Sequence, residues 1–169
     1  MSQQPEVWMR GPIPGIPNLL QPVAHALLQA QEEIHENLRD FPVSKLWDTP
    51  FGCASVAFHL QHIKGVLDRL FTYAASQSLT ESQLSELAAE GKKDPHISVQ
   101  SLLAALDAQI TISLAKLQAT EEYALAVPRG IGRKQIPTTL GGLLFHSAEH
   151  TMRHTGQLIV TIKILKHQS

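Results

Sequence analysis

At 169 residues with a formal net charge of −1, the chain is long enough for one core and carries no basic field to draw nucleic acid or an anionic membrane. Aromatic residues make up 5% of the composition, which leaves few platforms for stacking bases. The lone Cys53 excludes an internal disulfide, no apolar run approaches the roughly 18 residues of a membrane span, and "MSQQPEVWMRGPIPGIP" lacks a secretory pattern, so a cytoplasmic protein is expected.

Five of the ten prolines fall before residue 23, so residues 1–17 are expected to form an extended arm, followed by one domain over 18–169. The arm's apolar Val7, Trp8, Met9, Ile13 and Ile16 imply packing across the domain surface. From about Asn18, apolar residues recur at three- and four-residue steps through Leu38, which predicts a first helix. "DFPVSKLWDTPFG" breaks it, and a second helix is expected from about Ala54 to Ala75. "LTESQLSELAAEG" predicts a short extra helix, with Thr80 as N-cap and Gln83 completing a capping box. A third long helix begins near Ser98. "EEYALAVPRGIGRKQIP" reads as a loop carrying Arg129, Arg133 and Lys134. The last helix starts after Pro137, capped by Thr138 or Thr139, and runs to about Lys166. Four long amphipathic helices without a convincing strand predict an all-α, antiparallel four-helix bundle.

The segment "FHSAEHTMRHTGQL" sets His146, His150 and His154 four residues apart. At about 100° per residue that spacing keeps them on one stripe of the last helix. A single histidine on an apolar face is ordinarily a hydrogen-bonded packing residue. Three in register are harder to bury without partners, and a metal removes that cost because neutral imidazole is a common ligand. An H-x-x-x-H pair on a helix aims two nitrogens at one ion. The glutamate of a zincin H-E-x-x-H is missing, since Thr151 follows His150, which argues against a metalloprotease. A cross-helix ligand is available in "FHLQHI" of the second helix. Periodicity prefers His59, nearer the centre of that helix's apolar face, over His62, and leaves the third ligand open.

"ASVAFHLQHIKGVLDRLFTYA", followed far downstream by "PTTLGGLLFHSAEHTMRHTGQLI", resembles the DinB-like (DNA-damage-inducible, YfiT-like) family over essentially the whole chain after the arm. The resemblance implies a four-helix bundle holding a divalent metal through three histidines, one from the second helix and two from an H-x-x-x-H on the fourth. In this sequence they fall on His62, His150 and His154, with His59 either supporting those ligands from behind or simply packed, and His146 either near the metal or simply packed. It also implies a homodimer and a metal such as Zn²⁺ or Ni²⁺.

Three imidazoles leave coordination positions open, as in catalytic rather than closed structural sites. Families similar to this one include transferases and isomerases that use a low-molecular-weight thiol. Two classes of function follow: a metal-dependent enzyme of the thiol-transferase or hydrolase type acting on a small-molecule substrate, and a non-catalytic metal-binding bundle for stress response, sensing or protein interaction. No catalytic residue is assigned. The loop arginines, Arg133 above all, are expected to influence substrate affinity; Cys53, about 13 Å along the helix from His62, is expected to be packing; Glu149 and Arg153 are expected to pair at i,i+4.

Overall fold

The computed structural model describes residues 4–168. Its helices are α1 (Gln21–Leu38), α2 (Val56–Ala74), α3 (Glu81–Ala89), α4 (Val99–Gln118) and α5 (Leu140–His167). α1, α2, α4 and α5 form the bundle, α5 packing on α1 and α2, and α4 closing against both from the other side. The short α3 leans on α2. Between α2 and α5 the chains run in opposite directions: Thr161 Oγ1 reaches Ala54 O at 3.5 Å while His150 meets His62.

Caps set the boundaries. Ser55 Oγ accepts from Phe58 N to start α2 two residues after the expected Ala54, and Thr80 with Gln83 forms the expected capping box of α3. Ser98 and Ser101 cap α4 reciprocally, and Thr139, not Thr138, accepts from Gly142 N at α5. Leu27, Ile34, Leu60, Ile63, Leu67, Leu106, Ile110, Leu143 and Leu158 are fully buried and fill the space between the four long helices.

Two expectations need correction. The arm is not simply extended: it folds into a 3₁₀ turn at Val7–Arg10 and lies on α1. Val7 and Ile16 are buried, Val7 N donates to Gln29 Oε1 at 2.8 Å, and Arg10 pairs with Glu32 at 2.6 Å. The segment before α5 is no plain loop, because β1 (Pro128–Ile131) and β2 (Ile136–Thr139) pair as an antiparallel hairpin, Pro128 opposite Thr139 and Ile131 opposite Ile136. Two prolines and a glycine in these four-residue strands hide any alternating pattern; a two-stranded ribbon tolerates them because each strand has a free edge. No helix among the described residues is long and apolar enough to cross a membrane.

Candidate metal centre

In the middle turns of α5, between the buried Leu144 and Leu158, small residues make the buried face. Ser147, Thr151 and Thr155 have no exposed surface, and the Ser147 and Thr155 hydroxyls donate to the carbonyls of Leu144 and Thr151 at 2.7 and 2.8 Å. These short side chains let α5 approach its neighbours closely. The histidine stripe, one residue away in sequence, therefore falls about 100° round the helix at the edge of the core rather than at its centre.

There the structure brings together His62, His150 and His154, each half-buried, with one ring nitrogen of each lying within 4.8 Å of the others. His62 Nε2 faces His150 Nε2 at 3.0 Å. Phe58, one turn before His62, stacks on its ring at 5.1 Å and fixes its plane. His59 is fully in the core, as helical periodicity demands, and touches His154 Nδ1 to Nδ1 at 3.1 Å. Burial is the chief reason its pKa falls to about 4, with the neighbouring charges of His154 and His62 acting in the same direction. In the tautomer in which His154 Nδ1–H donates to a neutral His59, the His154 Nε2 lone pair is free for an ion. Burial likewise pushes His150 down to about 4, helped by His154 and His62, and lowers His154. Such imidazoles are neutral, and so able to coordinate, through the whole physiological range.

Sequence reasoning missed the support of His62. Its Nδ1 donates to Glu90 Oε2 at 2.6 Å, and the other carboxylate oxygen takes Arg69 Nη1 at 2.8 Å. Burial alone would raise the Glu90 pKa, but the hydrogen bonds from His62 and Arg69 outweigh it and hold the carboxyl below its ordinary range. A carboxylate on the far nitrogen fixes the tautomer that presents a lone pair at Nε2, the usual bracing of a metal-ligating histidine. Gly65 makes room for this relay: a Cβ there would stand 2.5 Å from Arg69 Nη1 and 2.7 Å from Glu90 Oε1. One signal was present in the sequence, since His62, Gly65 and Arg69 share a stripe of α2 and an arginine on a helix this apolar asks for a partner. Glu90, just after α3, carried none.

These donors suit a cation. With His62 Nδ1–H given to Glu90, the short contact to His150 needs a proton from His150 Nε2, which strands His150 Nδ1 as a bare acceptor. That atom is indeed buried without a hydrogen-bond partner. An ion that accepts both Nε2 lone pairs removes the need to share a proton.

The other candidates sit apart. His146 is exposed, its Nδ1 3.3 Å from Glu149 Oε2, and Glu149 also pairs with Arg153 as expected. His146, Glu149 and His150 form a second, more open grouping of possible ligands that shares His150. His25 bonds Gly11 O at 3.0 Å and His35 bonds Asp107 at 2.9 Å, both away from the cluster. Cys53 is exposed rather than packed. It lines a cavity of about 700 Å³ with His59, Arg153, Gln157 and Val160, because α2 starts only at Val56 and leaves the cysteine outside the helix. Arg129 and Arg133 lie near the opposite end of α2, on the hairpin beside Tyr73.

A family model described as the DinB superfamily matches residues 8–158. The chain belongs to the DinB superfamily. This DinB chain is also similar in structure to a conserved protein from Enterococcus faecalis, with a TM-score of 0.68 and 19% identity over 86% of this chain and 96% of that one, which supports the shared fold. No curated protein sequence matches it. The DinB bundle thus carries a three-histidine cluster that can hold a metal ion.

Proposed function

We propose that His62, His150 and His154 hold one divalent ion, Zn²⁺ or Ni²⁺, and that the protein is a metal-dependent enzyme of the thiol-transferase or hydrolase type. The observation that carries this reading is the convergence of three imidazole donors from two helices within 4.8 Å, one of them braced by a buried carboxylate. Three protein donors leave a position for an exogenous ligand, the feature that separates catalytic from structural sites.

When bound, the ion supplies a Lewis acid that lowers the pKa of a thiol or water at that open position. The rest is the work of the chain. Glu90 holds the His62 proton at Nδ1 and keeps Nε2 aimed inward; His59, neutral and buried, does the same for His154. The cavity lined by Cys53, His59, Arg153 and Gln157 offers room of about 700 Å³ for a small-molecule substrate beside the cluster, which it meets through the His59–His154 contact. Arg153 also lines this cavity while paired with Glu149.

A panel of low-molecular-weight thiols with electrophilic and hydrolysable substrates tests the reading on the zinc- and nickel-loaded protein. Turnover in the wild type that disappears in His150→Ala is the expected result. Metal retention with no turnover across the panel would favour a non-catalytic metal-binding bundle.

A further inference from the structure

The hairpin and the C-terminal end of α2 enclose a cleft of about 620 Å³, within the size range of small-molecule sites. Tyr73 on its α2 wall lies eleven residues beyond His62, about 16 Å along the helix. The cleft is therefore separate from the histidine cluster, with Arg69 and Thr72 between them on α2. Its lining includes Arg129 and Arg133 and no carboxylate, in a chain whose overall charge is slightly negative. Neither arginine forms an ion pair among the described residues.

Arg129 is held in place rather than free on the surface. Its Nε donates to Ala74 O at 2.6 Å and its Nη1 to Pro128 O at 3.0 Å, so the carbonyls at the end of α2 and in β1 fix the guanidinium plane. The turn that carries Arg133 is equally built. Gly132 and Gln135 take positive φ of 63° and 48°, and Gln135 Nε2 donates to Gly132 O at 2.8 Å. The Gln135 side chain packs over Gly130, where a Cβ would meet its Oε1 at 2.3 Å and displace it. The Tyr73 hydroxyl stands at this wall, 3.9 Å from where a side chain on Gly132 would begin. Leu79 and the exposed Leu84 give an apolar surface from the α2–α3 segment, and Pro137 adds to it from the hairpin.

We propose that this cleft is a second binding site, for a small molecule with an oxyanion head and an apolar body. The head, a carboxylate or a phosphate ester, meets Arg129, Arg133 and the Tyr73 hydroxyl; the body lies on Leu79, Leu84 and Pro137. Two guanidinium groups without internal carboxylate partners, that of Arg129 held in place by carbonyls, are the expected recognition device for such a head. The proposal does not depend on the metal reading.

Amide chemical-shift mapping on the full chain tests it, with phenylacetate, phenyl phosphate and inorganic phosphate as probes at millimolar concentration. Saturable shifts should appear at Tyr73, Leu79, Leu84, Gly130 and Gly132, strongest for a probe that has both head and body. Arg133→Ala, which removes an exposed side chain with no structural bond, should weaken binding about tenfold. His150→Ala should leave it within about twofold. No saturable binding by either phenyl probe would overturn the proposal, and so would shifts centred on His62 and His150. Equal binding of inorganic phosphate and phenyl phosphate would overturn its apolar half, and an unchanged affinity in Arg133→Ala its cationic half.

Discussion

The histidine cluster and the hairpin cleft lie on the same helix, α2, yet differ in how their polar groups are satisfied. In the cluster nearly every polar atom has a protein partner: His62 has Glu90, Glu90 has Arg69, and His154 has His59. In the cleft, Arg129 is held by carbonyls and Arg133 is exposed, and neither has an opposing charge in the lining. A site for a small hard-to-desolvate cation must be built from the inside, because orienting each donor determines affinity. A site for an organic anion can leave its charges to the solvent until the ligand arrives. Substitutions should therefore propagate through the cluster and stay local in the cleft.

The largest effect should come from His150→Ala, which removes one of three donors and should lower metal affinity by roughly a hundredfold or more, read by competition with a chromogenic chelator. Glu90→Gln comes next. It keeps the shape but weakens the brace on His62, so affinity should drop about ten- to a hundredfold. Its melting temperature should fall as well, since Arg69 is then left buried with a neutral partner. If Glu90→Gln binds metal as the wild type does, the cluster is not built from the inside and the contrast with the cleft fails.

Acid should act on the metal-free cluster in a defined window. His59 titrates at about 4 in the folded chain, chiefly because it is buried, against an ordinary value of 6.5. Its folded pKa is depressed, so the unfolded chain binds the proton more readily. Stability is then complete above about pH 6.5 and is lost as the pH falls toward 4, by about 3 kcal/mol for this residue. Urea unfolding of the metal-free protein at intervals across that window checks it, and His59→Leu should flatten the slope.

Two glycines give a smaller and sharper contrast. Gly65→Ala drives a methyl into the Arg69–Glu90 pair and should cost about 1–3 kcal/mol of stability while weakening metal binding. Gly156→Ala meets nothing within 4 Å and should be neutral or stabilise the helix by up to about 1 kcal/mol. Smallest of all, Arg133→Ala in the cleft should leave stability within about 0.5 kcal/mol and metal content unchanged.

Much of this molecule is legible in the amino-acid order because its signals are local. The bundle follows from three- and four-residue apolar spacing, and the starts of α3 and α4 from Thr80 with Gln83 and from Ser98. His150 and His154 share a stripe that spacing alone reveals. Where sequence reading stopped, the missing term was tertiary. His59 and His62 both lie on α2; periodicity correctly sent His59 to the core, but only the approach of α5 decides which of them stands in the triad. Glu90 belongs to no motif and gains its role because α3 folds back onto α2. The distance of Cys53 from His62 points to packing, but the cysteine is exposed because it lies outside α2, which starts only at Val56. The hairpin stayed hidden behind Pro128, Gly130 and Pro137, residues that signal a turn more strongly than a strand.

The central claim, a cluster assembled from both helices around one ion, is tested most directly by equilibrium dialysis of the full chain against buffered Zn²⁺, comparing wild type with His62→Ala and His59→Ala. The account predicts one equivalent bound by the wild type, almost none by His62→Ala at the same free zinc, and reduced but clear binding by His59→Ala. Full binding by His62→Ala together with its loss in His59→Ala would contradict the account and move the cross-helix ligand to the buried histidine.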